Sequence, residues 1–190
     1  DDEEALHTVG RPRPGVDADV RDTDGLPLER GAIGELWLRT PTAMSGYWRD
    51  PDGTAAALVD GWLRTGDLAV RDEDGYLHIV DRKKDMILRG GFNVYPREVE
   101  EVLYAHEAIA EAAVFAVPDE RHGEVVGVAV VLLPDADLTA DGLRDHTRVL
   151  IAGFKVPEHV WFLDDPLPRN ANGKFVKRTL RDELVGTPTD

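Results

Sequence analysis

Residues 169–178, Arg-Asn-Ala-Asn-Gly-Lys-Phe-Val-Lys-Arg, place Lys174 directly after Gly173, between a turn-rich loop and an amphipathic stretch. An ammonium set against an α-phosphate and a carboxylate would neutralise the charge that develops as one attacks the other. A preorganised group of this kind is commonly worth about 10²–10³ in rate. The same segment also reads as a plain Asn172-Gly173 turn followed by a solvated lysine. Thr65-Gly66-Asp67 offers a carboxylate at a turn. Its oxygens suit the paired hydroxyls of a ribose, and they equally suit a turn-forming aspartate that bonds its own backbone. In Asp81-Arg82-Lys83-Lys84-Asp85, Arg82 presents a rigid fork of donors for ribose or phosphate oxygens. The alternative is a surface ion pair with Asp81 or Asp85. Gly90-Gly91 suits a two-residue hairpin turn, since both positions take positive φ, and its lack of side chains also lets a slender ligand run close to the backbone.

The elements that must position these groups fall into two sets. Residues 8–80 read as short strands separated by turns. Apolar positions alternate over residues 16–21 and 34–39, with Ile33, Leu36 and Leu38 around Trp37. Asp24-Gly25 and Asp74-Gly75 supply left-handed backbone for tight turns. The second lies between Leu68-Ala69-Val70 and Tyr76-Leu77-His78-Ile79-Val80, which predicts a hairpin. Residues 54–59 read as a short helix capped by Asp52 or Thr54. A β-rich subdomain, a small distorted barrel or rolled sheet, is expected here. The composition changes at the charged run, which taken alone also reads as a solvated loop. Beyond it, Met86-Ile87-Leu88 and Phe92-Asn93-Val94 flank Gly90-Gly91 as a hairpin. Pro96 opens a helix with Val99, Val102 and Leu103 on one face. Residues 112–117 and 125–133 read as buried strands, 143–151 as a helix with Leu143, Thr147, Leu150 and Ile151 near one stripe, and 160–163 as a short strand. Val176, Leu180 and Leu184 define a terminal helix. The expected class is α+β, divided into residues 1–80 and a compact α+β unit over 81–190, with a hinge near 81–85.

The 190 residues are 42% hydrophobic and 31% charged, an ordinary globular balance. A net charge of −15 argues against nonspecific nucleic-acid binding. Any phosphate site must therefore be a local cluster, which focuses attention on Arg82, Lys83, Lys84 and Lys174. With no cysteine there is neither a disulfide nor a thiolate nucleophile or ligand. The histidines (His7, His78, His106, His122, His146, His159) have no metal-ligand spacing, so no metal ligands are expected within this chain. No Gly-x-Ser-x-Gly elbow or full phosphate-loop motif occurs. No apolar run approaches the roughly 20 residues of a membrane span. Asp1-Asp2-Glu3-Glu4 has no signal-peptide character, so a cytoplasmic protein is expected.

The order of these segments resembles the carboxyl-terminal third of acyl-CoA synthetases, the fatty-acid–CoA ligases of the adenylate-forming superfamily. Val9-Gly10-Arg11-Pro12, Pro14-Gly15-Val16, Gly34-Glu35-Leu36, Gly46-Tyr47-Trp48 and Asp60-Gly61-Trp62-Leu63-Arg64-Thr65-Gly66-Asp67 are similar to successive signature segments. Asp81-Arg82-Lys83-Lys84-Asp85, Arg89-Gly90-Gly91-Phe92-Asn93-Val94, Pro96-Arg97-Glu98-Val99-Glu100, Lys155-Val156-Pro157 and residues 168–174 continue the likeness, which covers residues 8–184.

The resemblance implies a two-step reaction. A carboxylate, for example of a fatty acid, attacks the α-phosphate of Mg-ATP to give an acyl-adenylate and pyrophosphate. The thiol of coenzyme A then displaces AMP. It implies that Asp67 and Arg82 hold the ribose, that Lys174 serves adenylation, and that Lys84 is the hinge about which a mobile domain swings. Gly90 and Gly91 would line the path of the pantetheine arm. The family's phosphate-binding segment, its Mg2+-binding Thr-Glu segment and most of its acid pocket normally lie upstream, and neither segment occurs here. The chain is thus expected to be a fragment, to need the missing amino-terminal domain as partner, and to form no adenylate alone. Two rivals remain: an amino-acid-activating domain of the same superfamily, and a stand-alone nucleotide-binding or interaction module.

Overall fold

The computed structural model describes residues 8–186, so His7 and the acidic run Asp1-Asp2-Glu3-Glu4 lie outside the described residues. The chain divides between Lys84 and Asp85 into two compact units.

The first unit is an antiparallel five-stranded sheet. β1 (Asp17–Arg21) pairs with β2 (Ile33–Arg39), and β2 pairs with β4 (Trp62–Arg71). The other edge of β4 is shared by β3 (Leu58–Val59) at its start and β5 (Leu77–Arg82) at its end. Strand alternation splits the side chains between the faces. Ala18, Val20, Leu36, Ala69 and Leu77 form one buried cluster, with Leu28, Leu38 and Ile79 packed against it. On the opposite face, cross-strand register sets Asp17 beside Arg39, Asp19 beside Trp37 and Arg21 beside Glu35. There guanidinium groups and indoles alternate: Arg39 lies 4.8 Å from the Trp62 ring, Arg21 lies 4.1 Å from Trp62 and 4.7 Å from Trp37, and Arg64 lies 5.3 Å from Trp37. These cation–π contacts cover Trp37, which is buried, whereas Ile33 at the strand end is exposed.

Two local readings change. The helix runs over α1 (Pro51–Ala57), not 54–59, and its cap is Asp50, whose carboxylate accepts the Gly53 amide at 2.8 Å. Pro51 sits where a missing N–H costs nothing. Leu58 and Val59 instead join the sheet, turned into β4 through Asp60 (φ 50°) and Gly61 (φ 78°). Thr65-Gly66-Asp67 is not a turn between elements but a bulge inside β4. Three residues there oppose Leu36 alone, since Glu35 pairs with Leu68 and Trp37 with Arg64. Gly66 takes φ +72°, and Thr65 Oγ1 donates to the Leu36 carbonyl at 2.8 Å, which keeps the bulged backbone satisfied.

The second unit is built on a long hairpin, β8 (Ile109–Asp119) and β9 (Gly123–Leu132). β10 (His159–Phe162) lies parallel to β9. The hairpin β6 (Ile87–Arg89) and β7 (Phe92–Val94) joins through Arg89 opposite Gly123. Val114, Val126, Val128 and Val130 face one side, where α2 (Pro96–Tyr104) contributes Val99 and Leu103, α3 (Ala140–Leu150) contributes Leu143, and Ile87 and Val94 close the cluster. Ala113, Phe115, Val117, Val125 and Ala129 face the other, covered by Leu167 and by Leu180 of α4 (Lys177–Leu184). Burial on both faces is why these strands read as continuous apolar runs. On α3, Leu143 and Thr147 are fully buried, but Leu150 is exposed and Ile151 lies past the helix end in extended backbone, so the stripe is shorter than expected. Val176 precedes α4 as its cap rather than lying within it.

Candidate functional site

Asp67 and Arg82 become neighbours because β5 carries one extra residue, Val80, between Ile79 (opposite Ala69) and Asp81 (opposite Leu68), which shifts the β4–β5 register so that Asp67 faces Arg82. Arg82 Nε lies 3.1 Å from Asp67 Oδ1, and the two side chains are 51% and 29% exposed. Arg82 makes its ion pair with Asp67, and Asp81 accepts the Arg82 backbone N–H at 2.7 Å. The Asp67 amide donates to Thr65 Oγ1 at 3.0 Å, which fixes the backbone behind the carboxylate. An exposed pair of this kind contributes little to stability, so its polar atoms can exchange partners with hydroxyl groups of a ligand at small cost.

Beside it lies a group that sequence reasoning missed. Glu35 is 4% exposed in the middle of β2. Its Oε2 accepts from Arg64 Nη2 at 3.0 Å and from Lys83 Nζ at 2.9 Å. Burial pushes the carboxyl pKa up, but the hydrogen bonds and charges of Arg64 and Lys83 outweigh it and hold the group below the ordinary glutamate range. The available signal was a glutamate between apolar residues in a strand, Gly34-Glu35-Leu36, which must find a cation. Lys83 opens a short 3-10 turn, Lys83–Asp85, in which Lys84 is exposed. The residue next to Lys84 is thus fixed to the first sheet.

In the second unit, Gly90 (φ 56°) and Gly91 (φ 88°) form the β6–β7 turn. The Gly90 amide donates to the His122 carbonyl at 2.8 Å. A Cβ on Gly91 would meet nothing within 4 Å, so backbone conformation and not crowding requires glycine there. The neighbouring Phe92 is 60% exposed and stacks on Phe154 at 4.9 Å, while Arg89 Nη1 donates to the Phe154 carbonyl at 2.6 Å.

Lys174 rides a tight hairpin. Arg169 bridges Phe175, Asn170 N–H donates to the Lys174 carbonyl at 2.9 Å, and Gly173 N–H donates to the Asn170 carbonyl at 2.9 Å. Asn170 Oδ1 accepts the amides of Asn172 and Lys174, each at 3.0 Å. Lys174 is exposed, and its ammonium has no ion-pair partner among the described residues. Arg169 secures the hairpin from beneath: Nη1 donates to the Gly173 carbonyl at 2.8 Å, Nη2 to Glu111 Oε1 at 2.7 Å, and the guanidinium lies 4.1 Å from the Phe175 ring. Burial raises the Glu111 pKa, yet the Arg169 bond and the Leu167 amide (2.7 Å to Oε2) bring it net below the ordinary value. Phe175 packs with the α4-side cluster, whereas Ile87 and Val94 of the Gly-Gly hairpin belong to the α2–α3 side. The structure therefore joins Asp67 to Arg82 but sets Lys174 and Gly90-Gly91 on elements that pack against opposite faces of one sheet.

Among the described residues no cluster of three His, Asp or Glu is placed to hold a metal, and no helix is long and apolar enough to cross a membrane.

The pattern of the AMP-binding enzyme C-terminal domain matches residues 98–174, and that of the AMP-binding enzyme matches residues 1–48. A long-chain-fatty-acid–CoA ligase of Yersinia pestis is 52% identical over 182 residues, which cover 96% of this chain and 32% of that protein. The fatty acid–[acyl-carrier-protein] ligase ScoC of Streptomyces coeruleorubidus is 46% identical over 95% of this chain and 35% of its own length. The amide bond synthetase McbA of Marinactinospora thermotolerans superposes with a TM-score of 0.85 at 46% identity, over 95% of this chain and 37% of that one. The chain spans about a third of the length of the curated relatives it matches. Likeness at this identity, running through both units and through every segment just described, reflects common descent: the chain belongs to the AMP-binding, adenylate-forming enzyme family.

Proposed function

We propose that this chain is the carboxyl-terminal part of an ATP-dependent acid–CoA ligase that activates a carboxylic acid, here a fatty acid, as its acyl-adenylate and passes the acyl group to coenzyme A. In the first step a carboxylate oxygen bonds to the α-phosphorus as the bond to the pyrophosphate leaving group breaks. In the second the thiol sulfur bonds to the acyl carbon, AMP leaves, and the thiol proton is released. ATP and coenzyme A are both cytoplasmic reactants, which suits a cytoplasmic enzyme.

The observation that carries this reading is Lys174: an exposed ammonium with no ion-pair partner among the described residues, on a hairpin whose backbone is tied down by hydrogen bonds. An ammonium about 4 Å from a charged oxygen is worth about 4 kcal/mol at an effective dielectric near 20. That energy is available only where water is excluded, so a lysine on a swinging domain acts in one half-reaction and is idle in the other. Asp67 would accept hydrogen bonds from the ribose hydroxyls and Arg82 would donate to ribose oxygens, for which their exposed pairing fits. Lys84 would be the hinge, and Gly90-Gly91 would pass the pantetheine arm beneath an exposed Phe92. Mg2+ would be held with the nucleotide's phosphates by segments outside this chain, so the 190 residues alone would form no adenylate.

A second reading concerns the acceptor. The names of the similar proteins include an acyl-carrier-protein ligase and an amide bond synthetase, so a carrier thiol or an amine competes with coenzyme A.

The test is Lys174→Ala in the enzyme completed with its amino-terminal part. Acid-dependent ATP–pyrophosphate exchange should fall about 10²–10³-fold, while thioester formation from supplied acyl-adenylate stays within about threefold. Equal loss in both would refute the assignment. Running the second step with coenzyme A, a carrier-protein thiol and an amine identifies the acceptor.

A further inference from the structure

We infer that Arg169 and Glu111 are positioning residues for adenylation, clamping the Lys174 hairpin to the second sheet. The inference rests on the reading of Lys174 as the adenylation lysine. Its basis is that one guanidinium engages three groups at once. Arg169 holds the carbonyl of Gly173, the residue bonded to Lys174, at 2.8 Å; it holds Glu111 on β8 at 2.7 Å; and it stacks on Phe175, the residue after Lys174, at 4.1 Å. Glu111 is 19% exposed at its side chain and uses its second oxygen to accept the Leu167 amide at 2.7 Å. Leu167 in turn is buried under α4. The start of the loop and its tip are thereby both referred to a single carboxylate on the central hairpin.

The geometry has a functional consequence. Lys174 has a long, flexible side chain, so the certainty of its placement comes from its backbone. Within residues 169–176 only Phe175 and Val176 are partly buried, and short polar loops with few apolar contacts open easily. Charge-assisted, forked hydrogen bonds are the means of holding such a loop without burying it. A lysine at this position cannot substitute for Arg169, because a point-like ammonium cannot satisfy a carbonyl, a carboxylate and a ring face together. A displacement of about 1 Å at the reacting geometry commonly costs about 10²-fold in rate, so loosening the loop should reduce adenylation even though neither residue touches a reactant.

Hydrogen exchange of this chain reads the clamp directly, without catalysis. In Arg169→Ala and Glu111→Ala, exchange at the amides of Gly173, Lys174 and Val176 should rise at least tenfold while the β8–β9 amides keep their protection. Unchanged loop exchange would overturn the clamp. If Glu111→Ala fails to fold, Glu111→Gln and Arg169→Lys, which keep the volume, carry the same comparison. In the completed enzyme, Arg169→Ala should lower kcat for ATP–pyrophosphate exchange about 10–100-fold, with KM for ATP within about twofold and thioester formation from supplied adenylate unchanged. Normal exchange kinetics in Arg169→Ala beside a defective Lys174→Ala would overturn the clamp alone. Normal kinetics in both would overturn the lysine assignment and the clamp with it.

Discussion

Replacing Glu35 tests how the first unit secures the residue beside the proposed hinge. Its side chain is 5% exposed, and its two cationic partners are 34% (Arg64) and 36% (Lys83) exposed. Hydrogen bonds to a charged group contribute about 1.5–3 kcal/mol each, and removing one member of a buried pair costs about 3–5 kcal/mol when the other is left dry. Here both cations keep about a third of their exposure, so water recovers part of that loss. Glu35→Ala should therefore cost about 2–3 kcal/mol, and Glu35→Gln less, because the amide oxygen still accepts one bond. With a urea dependence of about 1–3 kcal/mol per molar, the midpoint should fall by about 1 M. Fluorescence in a Trp161→Phe background reports on the first unit, since Trp37, Trp48 and Trp62 all lie there. The pH dependence gives a second check. The carboxyl is depressed below the ordinary glutamate value, so its contribution is complete above that ordinary value and is lost as pH falls through the lower folded value. The deficit of Glu35→Ala relative to the parent chain should then shrink in acid. A mutant within about 0.5 kcal/mol of the parent at neutral pH, or a deficit that stays constant into strong acid, would refute the reasoning.

Lys84→Pro fixes φ and disfavours the turn conformation of Lys83; in the completed enzyme it should change the ratio of the two half-reaction rates at least tenfold, and normal speed in both removes Lys84 as the pivot. Gly34→Ala places a Cβ 2.4 Å from the Arg21 carbonyl oxygen and 2.6 Å from Leu28 Cδ1. Because the first contact is backbone, the strands must separate, at a cost of about 1–3 kcal/mol; an unshifted urea midpoint would show that β1 and β2 yield freely.

The two positions proposed for different half-reactions sit on loops packed against opposite sides of one sheet. Presenting one loop requires no change in the other, and a rigid body carrying both can serve successive steps by rotation alone. The buried valines of β8 and β9 supply that rigidity, since each contributes to one core or the other.

Local chemistry was legible residue by residue. Gly90-Gly91 can adopt the left-handed pair of angles that a two-residue hairpin needs, Pro96 marks a helix start, and apolar runs over β8 and β9 announce strands covered on both faces. These outcomes depend on neighbours a few positions apart. The order of signature segments likewise carried the family, because motif order is a property of the chain itself. Pairings across long separations were not legible. Asp67 meets Arg82 only because an extra β5 residue, Val80, shifts the β4–β5 register, and a strand broken by Thr-Gly-Asp reads as a turn. Glu35 finds Arg64 and Lys83 at sequence separations of 29 and 48, and Arg169 finds Glu111 at 58. A charged side chain declares that it needs a partner, but which partner it receives is decided by strand register, and register is set by the packing of the whole sheet.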